Sequence, residues 1–296
     1  MYDTILSYKD MAKRANDIAF TDYYFRLMLI ARALFKWENL PNGIDEKWIE
    51  SYLYCEGKCL FYNDPTIGLM VAKLAEDGTL NYYDEPTKVK PVATNYIYEG
   101  KQLINNNNCV IIRNNDLMLP TAPTIRLYAY DLATIKRTID VNISAQKTPI
   151  VVRCSDKQKL SFKQAINQRA DNEPVIYADK NFDLSQIQIL DLKPPVVFDK
   201  LQIQKHAIWN ECMTFLGINN ANMDKRERVV TDEVQANDEQ VRASEDVMLK
   251  AREKACELIN GMFGTDIRVH RRKLAELPGE FIDMVKDINY NGEGEE

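Results

Sequence analysis

The sequence has few of the residues on which most catalytic centres depend. Only two histidines, His206 and His270, occur among its 296 residues, and they are far apart in the chain. The glycine-rich signature of a P-loop, the G-x-S-x-G of a nucleophile elbow and the H-E-x-x-H of a zinc protease are all absent. These absences argue against nucleotide binding, serine hydrolysis and a histidine-centred metal site. We therefore expect a protein that is not an enzyme and that has no catalytic residues, metal or cofactor.

Long apolar runs and an export signal are also missing. No run of 18 apolar residues occurs, so no membrane-spanning helix is expected. The N-terminus lacks the basic, apolar and small-residue order of a secretory signal, which predicts a protein that stays in the cytoplasm. The six cysteines are scattered, and without export we expect reduced thiols. Cys55 and Cys59 form a close pair, but no second pair or nearby histidine completes a zinc site.

An excess of positive charge is absent as well. The chain has 38 lysines and arginines against 44 acidic residues, a formal net charge of -6. This balance disfavours a general nucleic-acid binder, whose affinity comes from cations that displace phosphate counterions. It suits a protein that surrounds DNA without gripping it. A basic cluster at 268–273 could contact nucleic acid, or could equally form a solvated face or an ion-pair surface between subunits.

Helical spacing of apolar residues is the main feature that is present. It predicts long helices at 21–38, 121–143, 199–216 and 238–260, and shorter ones at 45–54, 162–167 and 275–288. Thr21 is the expected N-cap of the first long helix, and Gly261 the residue that ends the fourth.

The sequence between residues 66 and 118 is instead typical of short strands. Runs such as LNYYD, TNYIYEG and CVIIRNND are broken by Gly, Pro and an Asn tract, and they predict a small antiparallel sheet. Further strands are expected at 150–153, within PVIYA and IQIL, and in TDIRVHR. The polar stretch 217–237 has few large apolar groups and predicts a mobile loop. The fold class is α+β.

Five stretches carry a resemblance to a known family. They are FKWENLP (35–41), RNNDLMLPTAPT (113–124), NISAQKTPIVVR (142–153), VVFDKLQIQKHAIWNECMTFLGINNANMDKRERVVTDEVQANDEQ (196–240) and LKAREKACELIN (249–260). The sequence closely resembles the upper collar, or portal, proteins of small short-tailed phages of the salasmavirus and rountreevirus groups. The similarity covers roughly residues 25 to 270.

The resemblance implies a ring of twelve subunits at one vertex of the capsid. Double-stranded DNA would pass through it, without sequence preference, during packaging and ejection, and the tail would attach to it. The implied partners are the major capsid protein, a scaffold protein, a lower collar or tail protein and a packaging ATPase, with packaging RNA as an intermediary. No membrane partner is implied. The protein would assemble in the host cytoplasm and reside in the virion at the head-tail vertex.

The same resemblance implies a long-helix stem, a small β-rich wing and a C-terminal helical crown. The expected segments are an N-terminal segment with the first stem helix (1–40), the first part of the wing (41–119), the second stem helix (120–145), the second part of the wing (146–198), the third stem helix (199–218), a channel loop (219–237), a wing helix and strand (238–270) and the crown helix with an acidic tail (271–296).

Candidate site residues also follow from the resemblance. Lys200 matches a lysine that rings the channel; the second such lysine of the family falls at an aspartate here, which leaves Lys193 as its nearest substitute. The expected channel-loop residues are Asp224, Lys225, Arg226, Glu227, Arg228, Asp232 and Glu233. A ring of twelve chains would carry a formal charge of -72, twelve times -6, so isolated lysines would be local phosphate contacts in a repulsive bore.

Two alternatives to a portal are left open. One is a DNA-processing enzyme of the packaging apparatus, since acidic residues are plentiful although their spacing selects no pair. The other is a lower collar or tail-knob protein. The basic N-terminal arm that binds packaging RNA in Bacillus-phage relatives is weak here, because three cations in the first 20 residues are matched by three aspartates.

Overall fold

The computed structural model describes residues 8–146, 150–152, 187–189, 195, 197–218 and 231–272. Five helices and nine strands lie within these residues. They are α1 (Tyr8–Arg32), β1 (Phe35–Glu38), α2 (Glu46–Glu56), β2 (Lys58–Asp64), β3 (Gly68–Glu76), β4 (Lys88–Val92), β5 (Leu103–Ile104), β6 (Cys109–Arg113), α3 (Ala122–Ala145), β7 (Ile150–Val152), β8 (Ile187–Ile189), α4 (Phe198–Phe215), α5 (Thr231–Phe263) and β9 (Arg268–Arg271). The chain divides into two compact units, one of 1–134 with 205–296 and one of 135–204.

The first unit contains a five-stranded antiparallel sheet in the order β5-β4-β3-β2-β6. Side chains of the central strand β2 alternate between its two faces. Cys59 and Phe61 belong to a large core that the helices share, whereas Leu60 and Tyr62 belong to a smaller core on the other face. Because β2 is buried on both faces, its sequence lacks the alternation of apolar and polar residues that marks a half-exposed strand.

Each long helix of the first unit contributes one apolar stripe to the large core. The fully buried side chains include Leu27 and Ile30 of α1, Ile125 and Leu132 of α3, Cys212 and Met213 of α4, and Ile259 of α5. Burial of one such aliphatic side chain contributes about 1.5–3 kcal/mol.

A two-stranded antiparallel sheet joins the segment that follows α1 to the C-terminal end of the described chain. β1 pairs with β9, so that Phe35 lies opposite Arg271 and Trp37 opposite Val269. This pairing corrects the predicted helix 21–38 at its C-terminal end, where 35–38 is a strand. At the other end the helix starts at Tyr8, and Thr21 is an exposed mid-helix residue and not an N-cap.

Other predictions for the helices have mixed outcomes. The helices expected at 45–54, 121–143 and 199–216 are confirmed within a few residues. The helix expected at 238–260 starts earlier, at Thr231, and runs on to Phe263. Gly261 therefore lies inside it, and the helix ends at Gly264, whose φ is 67° and whose N–H donates to the Asn260 carbonyl at 3.0 Å. The helices expected at 162–167 and 275–288 lie outside the described residues.

The strand predictions were correct for CVIIR and RVHR but wrong for two tyrosine-rich runs. LNYYD (80–84) forms a turn, and TNYIYEG (94–100) has no strand pairing. The second run is held by its side chains instead of by strand pairing. The Tyr96 hydroxyl donates to the Asp64 carboxylate at 2.9 Å, and the Tyr98 ring meets the Tyr62 ring edge-on. The strand β2 was not predicted.

The described part of the second unit contains the end of α3, the start of α4 and the antiparallel pair β7–β8. The strands expected at 150–153 and in IQIL are confirmed as β7 and β8. Asn142 of α3 donates from Nδ2 to the Pro195 carbonyl at 2.9 Å and accepts from the Val197 N–H at 3.4 Å, which attaches the start of α4 to α3 within this unit. PVIYA lies outside the described residues.

Candidate channel residues and the framework that holds the long helices

Lys200 lies in the first turn of α4 and is exposed. A cation is disfavoured there, because the helix macrodipole places partial positive charge at the N-terminus. Asp199 in the same turn offsets part of that repulsion. No described residue forms an ion pair with Lys200, so contacts among the described residues give no reason for a lysine at this position.

The structure separates the predicted channel-loop residues into two groups. Asp232 and Glu233 fall in the first turn of α5, which corrects their assignment to a loop. Acidic residues stabilise the first turn of a helix, and this could have marked the helix start in the sequence. Residues 224–228 and Lys193 lie outside the described residues.

A buried arginine, which the sequence analysis missed, connects α5 to the rest of the first unit. Arg252 is 2% exposed and binds the equally buried Glu50 of α2 in a bidentate manner, with Nε–Oε1 at 2.9 Å and Nη2–Oε2 at 2.8 Å. Its remaining N–H groups donate to the Asn114 side chain and to the carbonyls of Asn114 and Met248. All five guanidinium donors therefore have acceptors.

The partners of Arg252 extend this network to two further elements. The Trp37 indole of β1 donates to Glu50 Oε1 at 2.9 Å, and Asn114 donates to the Thr121 hydroxyl just before α3. The Arg252 guanidinium also lies 4.1 Å from the centroid of the Phe35 ring. One arginine thus holds α2, β1, α5 and the start of α3 in a fixed arrangement.

The sequence does carry a signal for this arginine. Met248, Ala255 and Ile259 mark the buried stripe of α5, and Arg252 falls on that stripe where an apolar residue is expected. Since arginine is almost never fully buried without a partner, an arginine on an apolar stripe indicates a buried acidic partner.

A second anchor lies where α4 ends. Gly217 has a φ of 70°, and the Ile218 N–H donates back to the Met213 carbonyl at 2.8 Å, the pattern of a Schellman cap. Arg271 of β9 donates from Nη2 to the Leu216 carbonyl at 2.7 Å, and burial lowers the pKa of Arg271. Arg271 therefore serves the fold and is not available for phosphate.

Its neighbour Arg272 is held in a similar way. It forms an ion pair with Glu46 of α2, and its backbone N–H donates to the Leu34 carbonyl at 2.9 Å. Of the basic cluster at 268–273, only Arg268 and His270 have largely exposed side chains among the described members. Arg271 and Arg272 therefore form contacts within the subunit, and an ion-pair surface between subunits stays a prediction.

Aromatic residues hold α1, α3 and α4 together. The Tyr128 hydroxyl of α3 donates to Glu211 of α4 at 3.2 Å, and its ring lies 6.2 Å from that of Phe215. Burial, and then the Glu211 carboxylate, raise the pKa of Tyr128 to about 12. Arg126 and Lys205 lie over the rings of Tyr24 and Tyr23 of α1.

The outer faces of α1, α3 and α5 carry apolar residues that nothing in the described part of the chain covers. They include Ile18 (66% exposed) and Phe25 of α1, Leu127 and Tyr130 (61%) of α3, and Val247 of α5. Exposed apolar stripes on several helices are typical of surfaces that another protein covers.

Neither a metal centre nor a membrane segment was found in the described part of the chain. No group of three His, Cys, Asp or Glu side chains there could hold a metal ion. None of the described helices has an apolar window long enough to cross a membrane. Cys55 is exposed, and the other described cysteines are buried and free; burial raises the pKa of Cys59 well above its ordinary value.

Comparison with known proteins decides the family. A family model described as Phage Connector (GP10) matches residues 2–275. The chain belongs to this family. This match confirms the predicted identity as a phage portal or connector subunit. Phage connectors are structural proteins and not a class of enzymes.

Two solved structures are similar to this connector. A chain from the portal and tail of native bacteriophage P68 is 17% identical, with a TM-score of 0.52 over 99% of this chain and 100% of that chain. An HK97-family phage portal protein from Corynebacterium diphtheriae is 11% identical, with a TM-score of 0.42 over 94% of this chain and 100% of that chain. The likeness to the P68 chain confirms the predicted α+β fold of the portal type.

Proposed function

We propose that this connector assembles into a closed ring of about twelve subunits at the head-tail vertex of a virion, and that double-stranded DNA passes through the ring. The family match over residues 2–275 carries this proposal. The uncovered apolar stripes on α1, α3 and α5 support it, because a monomer would leave these side chains in water whereas a ring would cover them.

Lys200 is the proposed DNA contact of the channel wall. It is exposed, unpaired among the described residues, and located where the helix dipole disfavours a cation. A residue that weakens its own helix is more easily explained by function than by stability. Lys193 is proposed as a second position of the same kind, on the basis of the resemblance alone.

The segment that follows α4 is proposed as the channel loop, which contacts DNA inside the ring. The Schellman cap at Gly217 and Arg271 fix its beginning, and α5 starts at Thr231. The proposed channel loop is therefore 219–230, shorter than the 219–237 expected from sequence, with Asp224, Lys225, Arg226, Glu227 and Arg228 inside it. We propose that it restrains packaged DNA from sliding back.

The proposed segments and partners follow the resemblance. α1, α3 and α4 would form the stem, the five-stranded sheet with α2, the β7–β8 pair and α5 with β9 would form the wing, and 271–296 the crown. The major capsid protein, a scaffold protein, a lower collar or tail protein and a packaging ATPase, with packaging RNA as an intermediary, are the proposed partners.

Native mass spectrometry of the purified protein tests the ring directly. The expected result is one closed assembly of about twelve chains, which electron microscopy would show as a ring with a central opening. A stable monomer at micromolar concentration would contradict the proposal. A metal-dependent DNA cleavage activity that survives purification would favour a DNA-processing enzyme instead.

A further inference from the structure

A protruding aromatic loop follows β3 and points its largest side chains into solvent. Tyr82 is 94% and Tyr83 79% exposed, and their rings meet edge-on with centroids 5.5 Å apart. Leu80 beside them is 49% exposed. We call residues 80–84 the tyrosine tip.

The tyrosine tip is rigidly built. Asn81 Oδ1 accepts from the N–H groups of Tyr83 at 2.8 Å and Glu85 at 2.9 Å, and the Asn81 N–H donates to the Glu85 carbonyl at 2.8 Å. Arg113 of β6 binds the Glu85 carboxylate at 2.8 Å. These bonds fix the backbone of the tip, and a loop whose backbone is ordered before binding loses less entropy on association.

A recessed apolar surface lies elsewhere in the same unit. A cavity of about 280 Å³ is lined mainly by Ile44, Trp48, Tyr52, Met70 and Val71, and its Trp48 side chain is 53% exposed. We call it the Trp48 groove. An aromatic side chain fits a groove of this size and composition.

The tip of a subunit cannot fill the groove of the same subunit. The groove contacts β3 near its beginning, at Met70 and Val71, and the tip follows the end of β3 at Glu76. With a rise of about 3.3 Å per residue, these places are at least about 15 Å apart along the strand. The tip and the groove are two separate surfaces, one protruding and one recessed.

We propose that the tyrosine tip of one subunit occupies the Trp48 groove of the next subunit in the ring, an inference that rests on the proposed ring. In a cyclic assembly every contact is heterologous, so each copy must present two different and complementary surfaces.

Charge adds to this complementarity. Asp84 at the tip is exposed and has no ion pair with a described residue. Lys47 lies over the Trp48 ring, 5.6 Å from its centroid. Its ammonium group has three N–H donors, and one of them binds the Asp45 carboxylate at 2.9 Å. A second carboxylate from the neighbouring tip can therefore bind Lys47 at the rim of the groove.

Cross-linking distinguishes this contact from any other arrangement. In a Cys55→Ser, Cys154→Ser background, a chain with both Tyr83→Cys and Ile44→Cys is treated with a short bis-maleimide. A heterologous contact links each copy to the next, so a ladder of products up to the full ring is expected. In an equal mixture of the two single-cysteine chains, cross-linking should yield mainly dimers.

The control pair is Leu117→Cys with Ile44→Cys, since Leu117 is 76% exposed but lies outside the tip. If rings form normally but the tip pair yields no more cross-linked oligomers than the control pair, the inference is overturned and the proposed function is left intact. A background chain that forms no ring would overturn both.

Assembly provides a second measurement. Tyr82→Ser with Tyr83→Ser should raise the subunit concentration needed for half-assembly by at least about tenfold, because aromatic anchors carry much of the energy of an interface. Far-ultraviolet circular dichroism should be unchanged, since both side chains are exposed. Leu117→Ser is the matched control. Equal assembly of the two variants would contradict the inference.

Discussion

At the scale of single residues, Arg252 makes the most demanding prediction. Arg252→Met would remove five hydrogen-bond donors and leave the buried Glu50 carboxylate with only the Trp37 indole. The loss of one partner of a buried ion pair costs about 3–5 kcal/mol. The urea midpoint of unfolding should fall accordingly. Arg268→Met, which removes an exposed ion pair with Asp266, should change the free energy of unfolding by less than about 1 kcal/mol.

A double variant separates the role of charge from that of packing. Arg252→Met with Glu50→Leu leaves no unpaired charge at this place, so it should recover a large part of the lost stability. If the double variant is no more stable than Arg252→Met alone, the hydrogen bonds to Asn114 and Met248 matter more than the ion pair.

The Asp64 carboxylate predicts a difference in acid stability. Burial raises its pKa, but hydrogen bonds from the Thr66 and Ile67 N–H groups and the Tyr96 hydroxyl outweigh burial and hold the pKa below its ordinary value. A lowered pKa stabilises the fold above the unfolded-state pKa of about 3.9, and that stability is lost as the pH falls through the folded-state pKa.

Tyr96→Phe removes one of these donors, so the pKa of Asp64 should rise towards its ordinary value. The variant should be less stable than the wild type at pH 7, and the difference between their urea midpoints should shrink as the pH falls from about 4. Tyr98→Phe is the control, because the Tyr98 hydroxyl donates to the Lys101 carbonyl and not to Asp64. A pH-independent difference between Tyr96→Phe and the wild type would contradict this role.

At the scale of elements, the crossing of α4 and α5 depends on Gly217. A Cβ at this position would lie 2.9 Å from the Glu245 Cβ and 3.0 Å from its Cα, and the φ of 70° is already unfavourable for other residues. Gly264 also follows a helix, with a φ of 67°, but a Cβ there meets nothing within 4 Å. Gly264→Ala therefore reports the cost of φ alone, about 1 kcal/mol.

Gly217→Ala should cost that amount and about 1–3 kcal/mol more, because α5 must move away from α4. The difference between the urea midpoints of the two variants measures the close approach. Equal destabilisation would mean that the helices can separate without penalty.

Elements were predictable from sequence where their pattern is local. The stripe of α3 contains Ile125, Leu132 and Ile139 at helical spacing, all buried, and the helix was found almost to the residue. β1 was not, because FKWE continues the composition of α1 and becomes a strand only through β9, over two hundred residues later. Long-range pairing of this kind leaves no periodic trace in FKWE itself.

The candidate site was less predictable than the fold. Lys200 and the start of the channel loop were predicted from the resemblance alone. The predicted end of the loop was wrong, because Asp232 and Glu233 fit a polar loop by composition but belong to the acidic first turn of α5. The network around Arg252 joins residues of four elements, and only its position on the stripe of α5 was visible in the chain.

At the scale of the whole molecule, the acidic character of the chain gives Lys200 its importance. With a net charge of -6 per chain, the proposed ring would repel DNA overall, and an isolated ring of lysines would be the place where phosphate is attracted. Lys200→Ala should leave the ring intact, because the side chain is exposed and unpaired among the described residues. The variant should weaken the binding of double-stranded DNA to purified rings and flatten its salt dependence, since fewer counterions are released.

Lys200→Glu should reduce DNA binding further, whereas Lys200→Arg should preserve it, because the effect depends on charge and not on the shape of the side chain. Lys250→Ala is the matched control, an exposed lysine of α5 that is paired with Asp246 at 2.5 Å. Filter binding at several salt concentrations measures the slope for each variant, and native mass spectrometry checks that each forms rings. If Lys200→Ala fails to form rings, the residue belongs to a contact between subunits; if its rings bind DNA with the wild-type salt slope, the channel contact lies elsewhere.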